Sequence, residues 1–180
     1  MSSVQVFDNL VDEYQCDIGI TIIEELKKSR QLFRRPDGRG LLQFGANAKP
    51  LEIPGYKKEF IYDYVKNVID KIYEVNPEIK DLVLGDLIFT YYTPGSYLEA
   101  HRDDYNAETN TLYTAVLYLN DNYTGGELEF PESNLKYKPK TGCVVVIDNH
   151  ELHKVNTILE GKRYIIGFGF VNKSEVHFNL

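Results

Sequence analysis

The chain has four histidines, His101, His150, His153 and His177, and the first opens the triplet His101-Arg102-Asp103. On an extended segment an imidazole and a carboxylate two residues apart point to the same face. A second imidazole from a distant strand would complete a face of two histidines and one carboxylate, leaving coordination positions open on the opposite side. That donor set suits an oxygen-activating, non-haem Fe(II) centre, whose open positions admit a chelating cosubstrate and dioxygen. His150 and His153 compete for the place of the distal donor. Two other motifs come close and fail on spacing. A kinase catalytic loop needs Asn five residues beyond the Asp, where Glu108 stands, and neither a Gly-rich nucleotide loop nor Asp-Phe-Gly is present. A zinc-protease helix needs histidines four apart, whereas His150 and His153 are three apart in a stretch that reads as strand.

The elements that must position these donors change character along the chain. Residues 12–30 read as a helix, with Asp12 as cap, Ile18, Ile22, Ile23 and Leu26 at helical spacing, and Lys27, Lys28 and Arg30 at the C-terminus. A second helix is expected from Lys58 to Tyr73, with Phe60, Tyr64, Val65, Val68, Ile69 and Ile72 as its apolar stripe and Asn76-Pro77 as its stop. Short β-branched or aromatic runs follow at 87–92, 111–119, 127–130, 135–138, 143–147, 152–158 and 163–171, divided by Gly, Pro and Asn-Asp turns. Two helices and then seven to nine strands indicate a mainly β protein, a sandwich or barrel buttressed by helices. With 180 residues the chain is read as one domain: helical support over about 1–80 and a β core over about 85–171.

Charge excludes some functions. The net charge of −7 argues against a nucleic-acid binder, which needs a basic footprint for phosphates. Residues 27–58 run the other way, with nine basic side chains against Asp37 and Glu52. Their Gly and Pro density predicts mostly loop, either a solvated basic surface or a segment that covers substrate. Two cysteines, Cys16 and Cys143, cannot build a disulfide framework and suit a reducing compartment. No apolar run approaches a membrane span and the N-terminus lacks a basic signal region, so a soluble, cytoplasmic chain is expected.

The surroundings of the triplet carry more information than the triplet. Tyr92-Thr93-Pro94-Gly95 precedes it. Tyr118-Leu119-Asn120, Gly125-Gly126-Glu127-Leu128, Pro139-Lys140-Thr141-Gly142, Leu152-His153-Lys154-Val155 and Gly161-Lys162-Arg163-Tyr164 follow in order. This series, over about 85–171, resembles the prolyl 4-hydroxylase branch of the Fe(II)/2-oxoglutarate-dependent dioxygenases, in its small microbial, phage and algal form. The resemblance implies a double-stranded β-helix, or jelly roll. It matches His101, Asp103 and His153 to the metal triad and Arg163 to the residue that holds the far carboxylate of 2-oxoglutarate. A guanidinium can grip that carboxylate bidentately; Lys162 would point to the opposite face of the strand. Tyr92 and Tyr118 match pocket tyrosines, with Tyr113 as the alternative to Tyr118 if the register slips, and Leu128 matches an apolar wall. Gly167 stands where relatives often carry a hydroxyl residue, and Phe168 and Phe170 where they often have Trp. His150 and His177 are left as exposed or structural, and Cys143 as a small buried hydrophobe.

The function so implied is hydroxylation of a substrate carbon, foremost a peptidyl proline, with Fe(II), 2-oxoglutarate and O2, release of succinate and CO2, and support from ascorbate. The partner would be a peptide or protein, covered by the 27–58 segment, with no nucleic acid and no membrane. The alternatives are the same chemistry on a free amino acid, another protein residue or an alkylated nucleobase, and a non-catalytic jelly-roll binding module. Glu99, Asp103, Asp104 and Glu108 near the metal favour a basic neighbour in the substrate, whereas the 27–58 segment favours an acidic one.

Overall fold

A computed structural model describes residues 3–44, 58–103 and 111–173. In chain order the elements are β1 (Val4–Phe7), α1 (Glu13–Lys28), β2 (Phe33–Arg34), β3 (Gly40–Phe44), α2 (Lys58–Val75), β4 (Val83–Tyr92), β5 (Leu98–His101), β6 (Tyr113–Tyr118), β7 (Thr124–Gly125), β8 (Leu128–Phe130), β9 (Leu135–Tyr137), β10 (Val144–Asp148), β11 (His153–Val155), β12 (Ile158–Glu160) and β13 (Arg163–Val171). Among the described residues no helix is long and apolar enough to cross a membrane.

The helices form for the reasons their sequences give. Asp12 caps α1 by accepting the Gln15 N–H at 2.8 Å, and Cys16, Ile22, Ile23 and Leu26 make the buried stripe. In α2 the buried stripe is Ile61, Tyr64, Val65, Val68, Ile69 and Ile72. Phe60, expected in that stripe, is 41% exposed. It stands beside Ile61 rather than one turn from it, and residues adjacent in sequence diverge by about 100° around a helix.

The strands form two facing antiparallel sheets and a small pair. The large sheet runs β1-β10-β6-β13-β4-β3-β2, the smaller one β5-β11-β8-β9, and β12 pairs with β7. Period-two alternation divides the large sheet into two faces. Ile166, Phe168 and Phe170 of β13, with Phe89 and Leu117, pack with the helix stripes. Ile165 joins Tyr92, Tyr118, Val145 and Ile147 against Leu128, Phe130 and Val155 of the smaller sheet. Strand β13 is buried along its whole length, because it lies at the centre of the large sheet between β4 and β6.

The expected jelly-roll class stands, with corrections to its parts. Strands β1, β2 and β3 fall in the stretch read as helical support. Strand β3 lies where the density of glycine and proline predicts loop. Yet it pairs with β4, Gly40 opposite Tyr91, and a Cβ on Gly40 would lie 2.0 Å from the Tyr91 ring. That glycine admits an aromatic ring; it does not break the strand. The single strand expected at 152–158 is two, β11 and β12, in different sheets. Part of the basic segment, including Lys49 and Lys57, lies outside the described residues, as do Asp104, Glu108 and His177.

Gly142 fixes the approach to α1. Its φ is +77°, its carbonyl accepts the Val11 N–H at 3.1 Å, and an added Cβ would lie 2.0 Å from the Val11 carbonyl oxygen. Gly95 has a similar φ of +86° with nothing within 4 Å of its Cβ position. Gly142→Ala is therefore expected to cost about 3 kcal/mol of unfolding free energy in urea, and Gly95→Ala only about 1 kcal/mol. Equal costs would contradict the packing account.

Candidate active site

The pairing of β11 with β5 sets His153 directly opposite His101. Asp103 lies two residues past the end of β5, held there by its N–H, which donates to the Asn149 carbonyl at 3.0 Å. One donor atom from each of His101, Asp103 and His153 falls within a cluster whose members are all within 4.8 Å of one another. The Asp103 Oδ1 is 3.4 Å from His101 Nε2 and 3.9 Å from His153 Nε2. Each Nδ1 lies 2.9 Å from the carbonyl oxygen two residues back, Glu99 for His101 and Glu151 for His153. A carbonyl only accepts, so Nδ1–H donates in both rings and the Nε2 lone pairs turn toward the cluster. The buried Asp103 Oδ2 has no hydrogen-bond partner. Two oriented imidazoles and a carboxylate with a spare oxygen fit a divalent cation.

In the metal-free cluster the three groups influence one another's protonation. Burial, then the nearby positive charge of His101, keep His153 below its ordinary value despite the pull of Asp103, so it is neutral at pH 7. For Asp103 burial acts upward, but the His101 hydrogen bond and the two imidazoles outweigh it and hold the carboxyl low. For His101 burial acts downward, and the Asp103 hydrogen bond and charge outweigh that and raise it.

Behind this cluster lies a cavity of about 560 Å³ between the sheets. Its floor is the inner face of the large sheet, including Tyr92, Thr90, Ile88 and Asp86 of β4 and Ile165, Gly167 and Gly169 of β13. Gly167 is not crowded: a Cβ there would make only ordinary contact with Ile88, at 3.5 Å. Tyr92 belongs both to the cavity and to a buried cationic nest. The Arg163 guanidinium is centred 4.5 Å from the Tyr92 ring and 4.9 Å from the Tyr118 ring. Arg163 is 1% exposed, yet its Nε and Nη1 have no hydrogen-bond partner, and neither do the hydroxyls of Tyr118 and Tyr123. Burial raises both tyrosine pKa values, which keeps these hydroxyls protonated donors. A buried guanidinium without a carboxylate is costly, and an anionic ligand would relieve it.

The structure separates the sequence candidates. His150 is exposed and outside the cluster. Lys162 points away from the nest and reaches Glu24 of α1 at 3.5 Å. Tyr113 packs with the helix-side core, whereas Tyr118 faces the smaller sheet and packs with its Leu128. Phe168 and Phe170 also belong to the helix-side core and do not line this cavity. Sequence reasoning missed Thr90, Gly169, Asp86 and Thr114 as cavity residues. Stepping by two from Arg163 along β13 and from Tyr92 along β4 would have found Gly169, Thr90 and Asp86. It also missed Asn149, whose side chain donates to the Thr111 carbonyl at 2.7 Å while its own carbonyl holds Asp103.

Facing antiparallel sheets with two histidines and a carboxylate inside one end define a class. Residues 87–170, just under half of the chain, match the family model of the 2OG-Fe(II) oxygenase superfamily. A PKHD-type hydroxylase of Crocosphaera subtropica is 31% identical over 93 residues, covering 46% of this chain and 41% of the relative. The chain thus spans less than half the length of that relative. The viral collagen prolyl hydroxylase of Paramecium bursaria Chlorella virus-1, solved with 2OG, is similar in fold. Its TM-score is 0.68 at 21% identity, over 95% of this chain and 96% of that one. A Trichoplax adhaerens prolyl hydroxylase, solved with a hypoxia inducible factor peptide, gives a TM-score of 0.72 at 16% identity, over 96% and 85% of the two chains.

The coupled pair predicts a pH window for the metal-free protein. The contribution of His101 is present below its ordinary value of 6.5 and lost as pH rises through its higher folded value. That of Asp103 is present above its ordinary value of 3.8 and lost as pH falls through its lower folded value. The pair therefore stabilises most between 3.8 and 6.5. Asp103→Asn should remove this window from the urea midpoint and lower the His101 pKa in an NMR titration. An unchanged His101 titration would contradict the assignment.

Proposed function

We propose that the chain is an Fe(II)- and 2-oxoglutarate-dependent dioxygenase domain over residues 1–180, hydroxylating a peptidyl proline with release of succinate and CO2. The observation that carries this reading is the His101, Asp103 and His153 donor cluster on a cavity whose wall residue Tyr92 also packs on the buried Arg163 guanidinium, two of whose nitrogens have no hydrogen-bond partner. Fe(II) would be held by Nε2 of the two histidines and a carboxylate oxygen of Asp103. Bound there, it supplies the activation of dioxygen that couples decarboxylation of the cosubstrate to oxidation of the substrate carbon. Arg163 takes the far carboxylate of 2-oxoglutarate, with Tyr118 as a neighbouring hydroxyl donor and Tyr92 as the ring wall shared with the cavity. Burial of this nest strengthens the ion pair by excluding water. Leu98, Val116 and Ile165 supply apolar cavity wall on which a substrate ring can rest. Ascorbate is proposed as the supporting reductant. The peptide substrate is supported by the viral collagen prolyl hydroxylase and by the relative solved with a peptide.

The test is incubation of the full chain with Fe(II), 2-oxoglutarate, ascorbate and a library of proline-containing peptides, read by mass spectrometry. One oxygen atom gained on proline, with one succinate formed per event, is the expected result. Oxygen on another residue type would overturn the prolyl assignment, and no succinate with any peptide would overturn the enzyme. Arg163→Met should raise the 2-oxoglutarate concentration needed by at least about 30-fold, the loss of a buried charge pair, while iron uptake persists. Loss of iron uptake instead would contradict the role given to Arg163.

A further inference from the structure

The mouth of the cavity is basic in a chain that is acidic. The β2–β3 hairpin places Arg35 and Arg39 in the cavity lining, and Arg102, between the two candidate ligands His101 and Asp103, joins them there. Arg34 of the same hairpin donates to the Thr93 hydroxyl at 3.0 Å, next to the cavity residue Tyr92. Among the described residues, three of these guanidiniums pair with two carboxylates. Asp37 serves Arg39 at 2.9 Å and Arg35 at 3.4 Å, and Glu132 serves Arg102 at 2.6 Å. The side chains of Arg35 and Glu132 are 49% and 56% exposed, so their ion pairs are screened and easily exchanged. Arg39, only 12% exposed, reaches inward to the Tyr92 hydroxyl at 3.5 Å and ties the rim to the interior.

Among the described residues the other carboxylates near the rim are Asp86, Asp103 and Glu99, and Asp86 is buried in the cavity floor away from the surface. Asp103 belongs to the donor cluster and the side chain of Glu99 is exposed. Beside the opening, β5 is an edge strand bonded, among the described residues, only to β11, and Leu98 and Ala100 of β5 line the cavity. An edge strand next to a charged rim suits an extended chain with side groups of opposite sign.

We infer that the arginine rim selects acidic peptides, with Asp or Glu side chains flanking the target residue pairing with Arg35 and Arg102 in place of Asp37 and Glu132. The inference rests on the oxygenase reading for the identity of the target but has its own readout.

The test is fluorescence anisotropy with three labelled proline-containing peptides that differ only in Glu, Ser or Lys flanks. The full chain is loaded with Mn(II) and saturating 2-oxoglutarate, so attraction of the cosubstrate by the same charges does not enter. The Glu-flanked peptide should bind about tenfold more tightly than the Ser-flanked one, and the Lys-flanked one most weakly. The preference should shrink to about twofold in the Arg35→Gln/Arg102→Gln variant and at about 0.5 M NaCl, and persist in Arg35→Lys/Arg102→Lys. Equal binding of the three peptides, no binding of any, or a preference unchanged by the glutamines would overturn the inference. Failure to retain Mn(II) and 2-oxoglutarate would instead count against the oxygenase reading, and the ranking of the three peptides on the unloaded protein would still decide the rim.

Discussion

The structure depends on the pairing of β11 with β5. Across that ladder His153 stands opposite His101, and the carbonyl two residues before each ring fixes which nitrogen carries hydrogen. The strand pair thus sets both the spacing of the imidazoles and the direction of their lone pairs, before any ion is present. Asp103 would hang beyond the end of β5 without the turn that follows β10, where the Asn149 carbonyl accepts its N–H. A residue far along the chain therefore completes a triplet that looks local in sequence.

The large sheet answers a second constraint, the burial of a charge. Strand β13 carries Arg163 into a nest of tyrosine rings and leaves two of its nitrogens without partners. Such a group is tolerated when the surrounding packing is strong. Ile166, Phe168 and Phe170 on the opposite face of the same strand provide that packing against the helix-side core. Stability on one face of β13 and chemistry on the other come from one alternating sequence.

The same alternation explains what was legible beforehand. The helices, most strands of the core and the candidates His101, Asp103, His153 and Arg163 could be read because each had periodicity or an ordered set of neighbours. Strand β3 could not, because its composition resembles a loop and the need for Gly40 appears only when the Tyr91 ring lies over it. The division of 152–158 into β11 and β12 was hidden because both halves are short and apolar, and only the partner strands distinguish them. Asn149 was hidden for another reason: its carbonyl accepts from Asp103 and its side chain donates to the Thr111 carbonyl, and both partners lie far away along the chain.

We propose that His101, Asp103 and His153 would hold Fe(II) at one end of the sandwich, where 2-oxoglutarate would chelate it. The direct measurement is an anaerobic titration of metal-free protein with Fe(II) and then 2-oxoglutarate, followed by the weak visible charge-transfer band of the chelate. The expected result is a band that survives His150→Ala and is absent in His153→Ala. No band in folded wild-type protein, or a band lost with His150 and kept without His153, would contradict it.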